Sequence, residues 1–249
     1  MTWPVLLAAP LIGFLISLFA AGGGMVAVPL LSYGMGMPFK QAITTSLVIV
    51  ACISLISLLQ HKRWKLIDRR LHRFFALGGM LGGALGASIG LRMTDQAHSS
   101  LFAALLLLVA WWLYSHPMKS IHARAQQAPC NCPLAMLAGA GSGLLAGLLG
   151  VGGGFVIVPL LLMLGVKSYQ SAIAHSLLMI ITNSMVAVIG YGIHMDIAWR
   201  PILIITLLAA FGSWLGSLIA SKQTSERLQG SFSLVLCIIS AWMLYKAFA

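Results

Sequence analysis

The residues best suited to chemistry in this chain are two glycine runs, each followed by the same apolar pattern. The runs are Gly22, Gly23, Gly24 and, 130 residues later, Gly152, Gly153, Gly154. Glycine permits positive φ, and the free N–H groups that begin a helix bind anions. Pro29 and Pro159 close the two patterns, and proline ends or kinks a helix. The pair therefore predicts two half-helices whose amino ends face the protein interior and form an anion site.

Neutral hydrogen-bond donors follow each glycine run, near the start of the next apolar segment. They are Thr44, Thr45 and Ser46 in the first half, and Ser176 in the second. Hydroxyl groups donate to an anion without fixing a charge, which suits a transient ligand. A hydroxyl in a membrane helix also bonds back to the carbonyl four residues earlier, and this structural interpretation stays open.

One histidine lies well inside an apolar segment, beside Ser176. His175 is predicted to bind substrate and to couple transport to protons, because imidazole titrates near neutral pH and ionisable groups within a membrane are usually functional. A satisfied structural donor is the alternative. Asn183, about two turns further on, is either a substrate donor or a contact between helices. The four acidic residues lie at or beyond segment ends, so neither an enzyme nor a metal or cofactor site is predicted.

The composition is that of an integral membrane protein. Of 249 residues, 60% are hydrophobic and 8% are charged, whereas soluble domains carry about 25% charged residues. Each half reads as one glycine-broken segment followed by three apolar segments of about 20 residues. We predict an all-α polytopic membrane protein with one domain, 1–249. It comprises an N-terminal repeat at 1–116, a polar linker at 117–133 and a C-terminal repeat at 134–249.

The positive charge is concentrated in one short loop between apolar segments. Six of its residues are basic, namely Lys62, Arg63, Lys65, Arg69, Arg70 and Arg73. The positive-inside rule places this loop in the cytoplasm, and it lacks the interleaved aromatic residues of a nucleic-acid surface. No cleavable signal peptide is evident. We therefore expect a multi-pass protein of the cytoplasmic (inner) membrane that contacts membrane lipid and binds no nucleic acid.

The relative orientation of the two halves follows from how the broken segments cross. Parallel and inverted repeats give nearly the same number of basic residues on the cytoplasmic side. Inversion is favoured because two breaks that enter from opposite faces meet at the membrane midplane, buried in protein. Glycines also recur at four-residue spacing, which is typical of close helix packing in membranes. These are Gly82, Gly86, Gly90, Gly139, Gly143, Gly147, Gly212 and Gly216.

These motifs resemble the TauE/SafE family of sulfite exporters and related membrane permeases. The segments that carry the resemblance are Gly22–Leu31, Ala42–Leu47, His61 to Asp68 with Arg70, Gly152–Leu161, Ala172–Leu177 and Ile197–Arg200. The resemblance implies secondary transport of a small sulfur-containing anion, such as sulfite, sulfoacetate or another organosulfonate, in the export direction. A passive anion channel and a non-transporting membrane protein are the alternatives, and a homodimer is a candidate assembly.

The chain departs from the pattern of that family at three positions. His175 stands where threonine is usual, Trp64 where glycine is usual, and Ala198 where aspartate is usual. His175 belongs to the predicted site, so the identity of the anion depends on this chain's own residues.

Overall fold

The computed structural model describes residues 3–19, 24–60, 67–115, 132–164, 166, 169–192, 199–220 and 225–248. All regular secondary structure in these ranges is helical. In chain order the helices are α1 (Trp3–Phe19), α2 (Gly24–Pro29), α3 (Phe39–Gln60), α4 (Arg69–Arg92), α5 (Asp95–Ser115), α6 (Cys132–Leu149), α7 (Gly154–Met163), α8 (Tyr169–Gly192), α9 (Trp199–Ala220) and α10 (Ser225–Phe248). A π-helical turn, Leu30–Gly34, continues α2.

Both halves have two successive helices where a glycine-broken segment is predicted, and residues 20–23 between the first two lie outside the described residues. In the first half α1 ends at Phe19 and α2 begins at Gly24, and in the second half α6 ends at Leu149 and α7 begins at Gly154. In each half three long helices follow the short helix that comes after the break: α3, α4 and α5 in the first, and α8, α9 and α10 in the second. The predicted linker 117–133 is shorter than expected at its end, because α6 begins at Cys132. Pro133 therefore lies in the first turn of α6, where proline is tolerated because the N–H that it lacks would have no partner within the helix.

Several helices suit a membrane. In the ranges above, four are long and apolar enough to cross one: Phe39–Gln60, Arg69–Arg92, Gln170–Gly192 and Trp199–Gly216. Their outward faces carry large apolar side chains, such as Leu207, which is 72% exposed. Water would penalise such faces, whereas lipid solvates them. The chain is therefore an integral membrane protein.

The four-residue glycine spacing is confirmed as helix packing. Gly79 and Gly143 bring the backbones of α4 and α6 into direct contact, and Gly13 brings α1 against Ala209 of α9. A Cβ at Gly143 would overlap the Gly79 carbonyl, so these pairs approach as closely as backbones can. Close approach of this kind replaces the hydrophobic driving force that lipid does not supply.

Helices α3 and α4 run in opposite directions. The Lys40 ammonium, at the start of α3, donates to the Leu91 carbonyl near the end of α4 at 2.8 Å. The Phe39 N–H donates to the Asp95 carboxylate, just beyond α4, at 3.3 Å. The start of α3 therefore lies beside the end of α4.

Helices α4 and α8, by contrast, run in the same direction. Asn183, near the middle of α8, lies against Gly79 in the middle of α4, and Tyr191, near the end of α8, lies against Gly90 near the end of α4. Because α3 is antiparallel to α4, α3 and α8 run in opposite directions.

Candidate functional site

The two glycine breaks meet inside the protein. Gly24, the first residue of α2, lies against the backbone of Gly150 and Val151 in the second break. A Cβ at Gly24 would lie 2.6 Å from the Val151 Cα and 2.8 Å from the Gly150 oxygen, so only glycine fits. Gly22 and Gly23 lie outside the described residues. The contact nevertheless joins the two duplicated motifs at one place.

The second break has the backbone geometry that its glycines predict. Gly152 and Gly153 both have φ of +72°, a left-handed conformation that other residues adopt only at a cost. The Gly153 carbonyl accepts from the N–H groups of Val156 and Ile157 at 3.1 and 3.2 Å, which begins α7 at Gly154. The predicted positive φ is thus confirmed at these two positions, and the positive end of the α7 dipole lies at a buried break.

Two of the predicted hydroxyl groups reach this break. The Ser46 Oγ, on α3, donates to the Gly150 carbonyl at 3.1 Å, and the Ser176 Oγ, on α8, donates to the Gly154 carbonyl at 3.3 Å. Both serines are fully buried. The Ser46 hydroxyl satisfies a carbonyl of the break that a continuous helix would have bonded, and the Ser176 hydroxyl joins the first residue of α7 to α8.

The two threonines have different surroundings. The Thr44 Oγ1 donates to the Lys40 carbonyl at 3.0 Å, four residues earlier in its own helix, which is the structural alternative given above. The Thr45 Oγ1 is buried and has no hydrogen-bond partner in the described part of the chain. A buried hydroxyl without a partner loses its bonds to water and is suited to receive a ligand.

Ser184, which no sequence motif singled out, lies beside the second break. A Cβ at Gly152 would lie 3.3 Å from the Ser184 Oγ. This hydroxyl is fully buried and lacks a partner among the described groups. The repeat itself contained the signal, because the 130-residue offset matches Ser184 to Ser54, which is also buried and unpartnered.

Asn183 lies on a neighbouring helix face and contacts α4. Its side-chain amide packs on the backbone of Gly79, with the position of a Gly79 Cβ 3.3 Å from Nδ2. Neither the amide oxygen nor the amide nitrogen has a partner within the described ranges. The contact between helices is therefore present, and a role as substrate donor stays a prediction.

His175 joins α8 to the start of α4. Its Nε2 accepts from the Asp68 N–H at 2.9 Å, and its Nδ1 lies 2.8 Å from the Ser171 carbonyl. This pattern assigns the neutral tautomer with the proton on Nδ1. Protonation of Nε2 would remove the acceptor of the Asp68 N–H. The charge state of His175 and the contact between α4 and α8 are therefore linked.

A second imidazole is buried in the apolar part of the protein, contrary to the sequence analysis. His98 is fully buried in α5, with Nε2 bonded to the Leu148 carbonyl. This bond fixes the last turn of α6, immediately before the second break. Burial of His98 depends on the packing of α5 against another helix, which the linear pattern does not contain.

A buried, unpartnered hydroxyl thus lies beside a broken helix that is enclosed by apolar helices. This arrangement is typical of membrane transporters, in which irregular backbone within the membrane lines a binding site.

The chain belongs to the sulfite exporter TauE/SafE family, whose model matches residues 5–243. Family members are membrane transporters and not enzymes. A probable membrane transporter protein of Xylella fastidiosa (strain 9a5c) is 30% identical over an aligned length of 248 residues. The alignment covers 96% of this chain and 93% of that protein. The probable membrane transporter protein YunE of Bacillus subtilis (strain 168) is 26% identical over 92% of each chain. A probable membrane transporter protein of Methanocaldococcus jannaschii is 29% identical over 94% of this chain and 92% of its own length. The chain is therefore a membrane transport protein.

Proposed function

We propose that the chain exports a small sulfur-containing anion, such as sulfite, sulfoacetate or another organosulfonate, across the cytoplasmic (inner) membrane as a multi-pass secondary transporter. The observation that carries the proposal is the contact of Gly24 with Gly150 and Val151, which brings the two glycine motifs together. The family description, sulfite exporter, supports both the anion class and the direction.

The binding site we propose is formed by the two breaks and the neutral donors around them. Backbone N–H groups at the start of α7 and the α7 dipole favour a negative ligand. The buried, unpartnered hydroxyls of Thr45 and Ser184 supply further donors, and Ser46 and Ser176 bond to the second break and to the first residue of α7. A sulfonate or sulfite ion has three acceptor oxygens, so it can accept hydrogen bonds from several of these donors at once.

We further propose that the two halves are inverted repeats. The 130-residue offset matches α3 to α8, and these helices run in opposite directions. The packed pairs support a two-fold relation between the halves, and the opposite helix directions favour inversion. The contact of Gly13 with Ala209 corresponds under the offset to that of Gly143 with Gly79. Repeats related by an axis in the membrane plane place a binding site near the midplane.

The coupling we propose runs through His175. A neutral imidazole accepts from the Asp68 N–H, and a protonated one cannot. A bound anion near α8 would favour the protonated form, so proton and anion would bind cooperatively. Transport would then rise as the pH falls.

Reconstitution tests the function. The purified chain in proteoliposomes should move radiolabelled sulfite or sulfoacetate with saturable kinetics, and unlabelled anion on the opposite side should accelerate the flux. Acetate should not compete. Flux that rises linearly with concentration and lacks counter-transport would favour a passive channel instead, and absence of flux for every anion would favour a non-transporting protein.

A matched pair of serine variants tests the site. Ser184→Ala removes a buried hydroxyl beside Gly152 and should raise the KM for the transported anion about 10- to 150-fold, the loss expected for one hydrogen bond to a charged group. Ser88→Ala is the control, because Ser88 is exposed and bonds only to Ala84 of its own helix among the described contacts. Equal KM values for the two variants would show that Ser184 is not part of the binding site.

A further inference from the structure

A cavity lies at the start of α4. Its volume is about 590 Å³, and the described residues that line it are Ile67, Arg69, His72, Arg73 and Leu178. Two arginines and a histidine thus share a lining with two aliphatic side chains. Guanidinium groups bind phosphate oxygens in pairs, with matched geometry.

The polar groups around this cavity leave its positive charge available. The Asp68 carboxylate accepts from the N–H groups of Arg70 and Leu71, where it caps α4. The Arg73 Nε donates to the Arg69 carbonyl at 3.3 Å, which keeps the two arginines on one side of the helix. The His72 Nδ1 is buried and has no hydrogen-bond partner in the ranges that the structure describes.

The surface of α4 beyond the cavity is apolar. Arg69 and Arg73 are four residues apart, and the same spacing continues through Leu77, Leu81 and Leu85. These leucines are 55%, 60% and 59% exposed. Residues four apart are neighbours on a helix, so Leu77 lies one turn beyond Arg73, and the exposed leucine stripe continues from there while winding about 40° around the helix at each step.

We propose that this cavity binds the phosphate headgroup of an anionic membrane lipid, whose acyl chain lies along the leucine stripe of α4. Arg69 and Arg73 bind the phosphate, His72 donates a further hydrogen bond, and Ile67 and Leu178 contact the glycerol region. A free phosphate ion would bind the same guanidinium groups, but it would use neither the aliphatic lining nor the stripe. Basic sites on the cytoplasmic side of a membrane helix suit anionic headgroups, and the positive-inside rule puts the start of α4 there.

The site is connected to the proposed transport path by α8. Leu178 is one turn after His175, whose Nε2 accepts from the Asp68 N–H at the start of α4. A lipid that holds the start of α4 against α8 therefore stabilises the contact on which His175 depends. Lipid binding itself does not depend on which anion is transported.

Lipid binding to the purified full chain in detergent tests the proposal without any transport assay. Native mass spectrometry and the thermal unfolding midpoint would be measured with phosphatidylglycerol, with phosphatidylcholine of the same acyl chains, and with inorganic phosphate. We expect phosphatidylglycerol to bind and to raise the midpoint, and the other two to have little effect. Arg69→Gln and Arg73→Gln should each weaken phosphatidylglycerol binding about 5-fold, and the double variant about 25-fold.

The control variant is Arg70→Gln. Arg70 is exposed, adjacent to Arg69, carries the same charge and is not among the described lining residues. It should keep at least half of the wild-type affinity. Equal losses in Arg70→Gln and Arg73→Gln would overturn the site in favour of general surface charge. Equal binding of phosphatidylcholine, or equal stabilisation by inorganic phosphate, would overturn the assignment of an anionic lipid.

Discussion

The contact between the two breaks can be tested by adding one methyl group at Gly24. Gly24→Ala places a Cβ 2.6 Å from the Val151 Cα, whereas ordinary contacts begin at 3.4 Å, so the breaks must separate by about 0.8 Å. Both neighbours are backbone atoms, so no side chain can rotate to make room. Overpacking of this kind costs about 1–3 kcal/mol. If the cost falls on the substrate-bound arrangement, the Kd for the anion rises about 5- to 150-fold.

The assay is uptake of radiolabelled sulfite by proteoliposomes that contain equal amounts of folded protein. Gly141→Ala is the matched control, because a Cβ at Gly141 meets nothing within 4 Å. We expect the control to transport like the wild type and Gly24→Ala to show a raised KM. Wild-type KM and maximal rate in Gly24→Ala would show that the contact between the breaks is not part of the substrate site.

Three other predictions concern the second break, the orientation and the coupling. Gly153→Ala should lower the free energy of unfolding by about 1–2 kcal/mol because of its left-handed φ, and it should reduce transport more than Gly141→Ala does; an unchanged unfolding midpoint would contradict this. In a background without native cysteines, single cysteines at Ser120 and Lys167 should both react with an impermeant thiol reagent only from the cytoplasmic side; labelling of Lys167→Cys from outside would indicate parallel repeats. His175→Gln keeps an acceptor for the Asp68 N–H but does not titrate, and His175→Thr restores the usual family residue. Both variants should keep substrate binding and flatten the rise of transport at low pH. A wild-type pH profile in both would show that His175 has only a structural role.

The breaks themselves were predictable from local sequence. Glycine runs followed by proline interrupt a helix through backbone sterics alone, and the observed starts of α2 and α7 at Gly24 and Gly154 agree with that prediction. The four-residue glycine spacing likewise predicted close helix pairs, because spacing on a helix fixes which residues share a face. Such features depend on neighbours in the chain.

The surroundings of polar side chains were less predictable. Thr44 and Ser46 are two residues apart and have similar hydroxyl groups, yet Thr44 bonds within its own helix and Ser46 bonds to Gly150. The sequence gives no reason to choose between these outcomes, because a helix turns by 100° per residue and only the packing of α3 determines which hydroxyl meets another element. The burial of His98 likewise depends on how α5 packs, which its position in the sequence does not determine.

The sequence by itself determined the class of protein, the helical breaks and the presence of a duplicated motif, because composition, backbone sterics and periodicity are local properties. The tertiary structure alone decided that Gly24 touches the opposite break, that Ser184 lies beside Gly152 and that His175 bonds to Asp68. Each of these contacts joins residues far apart in the chain, and their positions depend on the directions and close packing of whole helices.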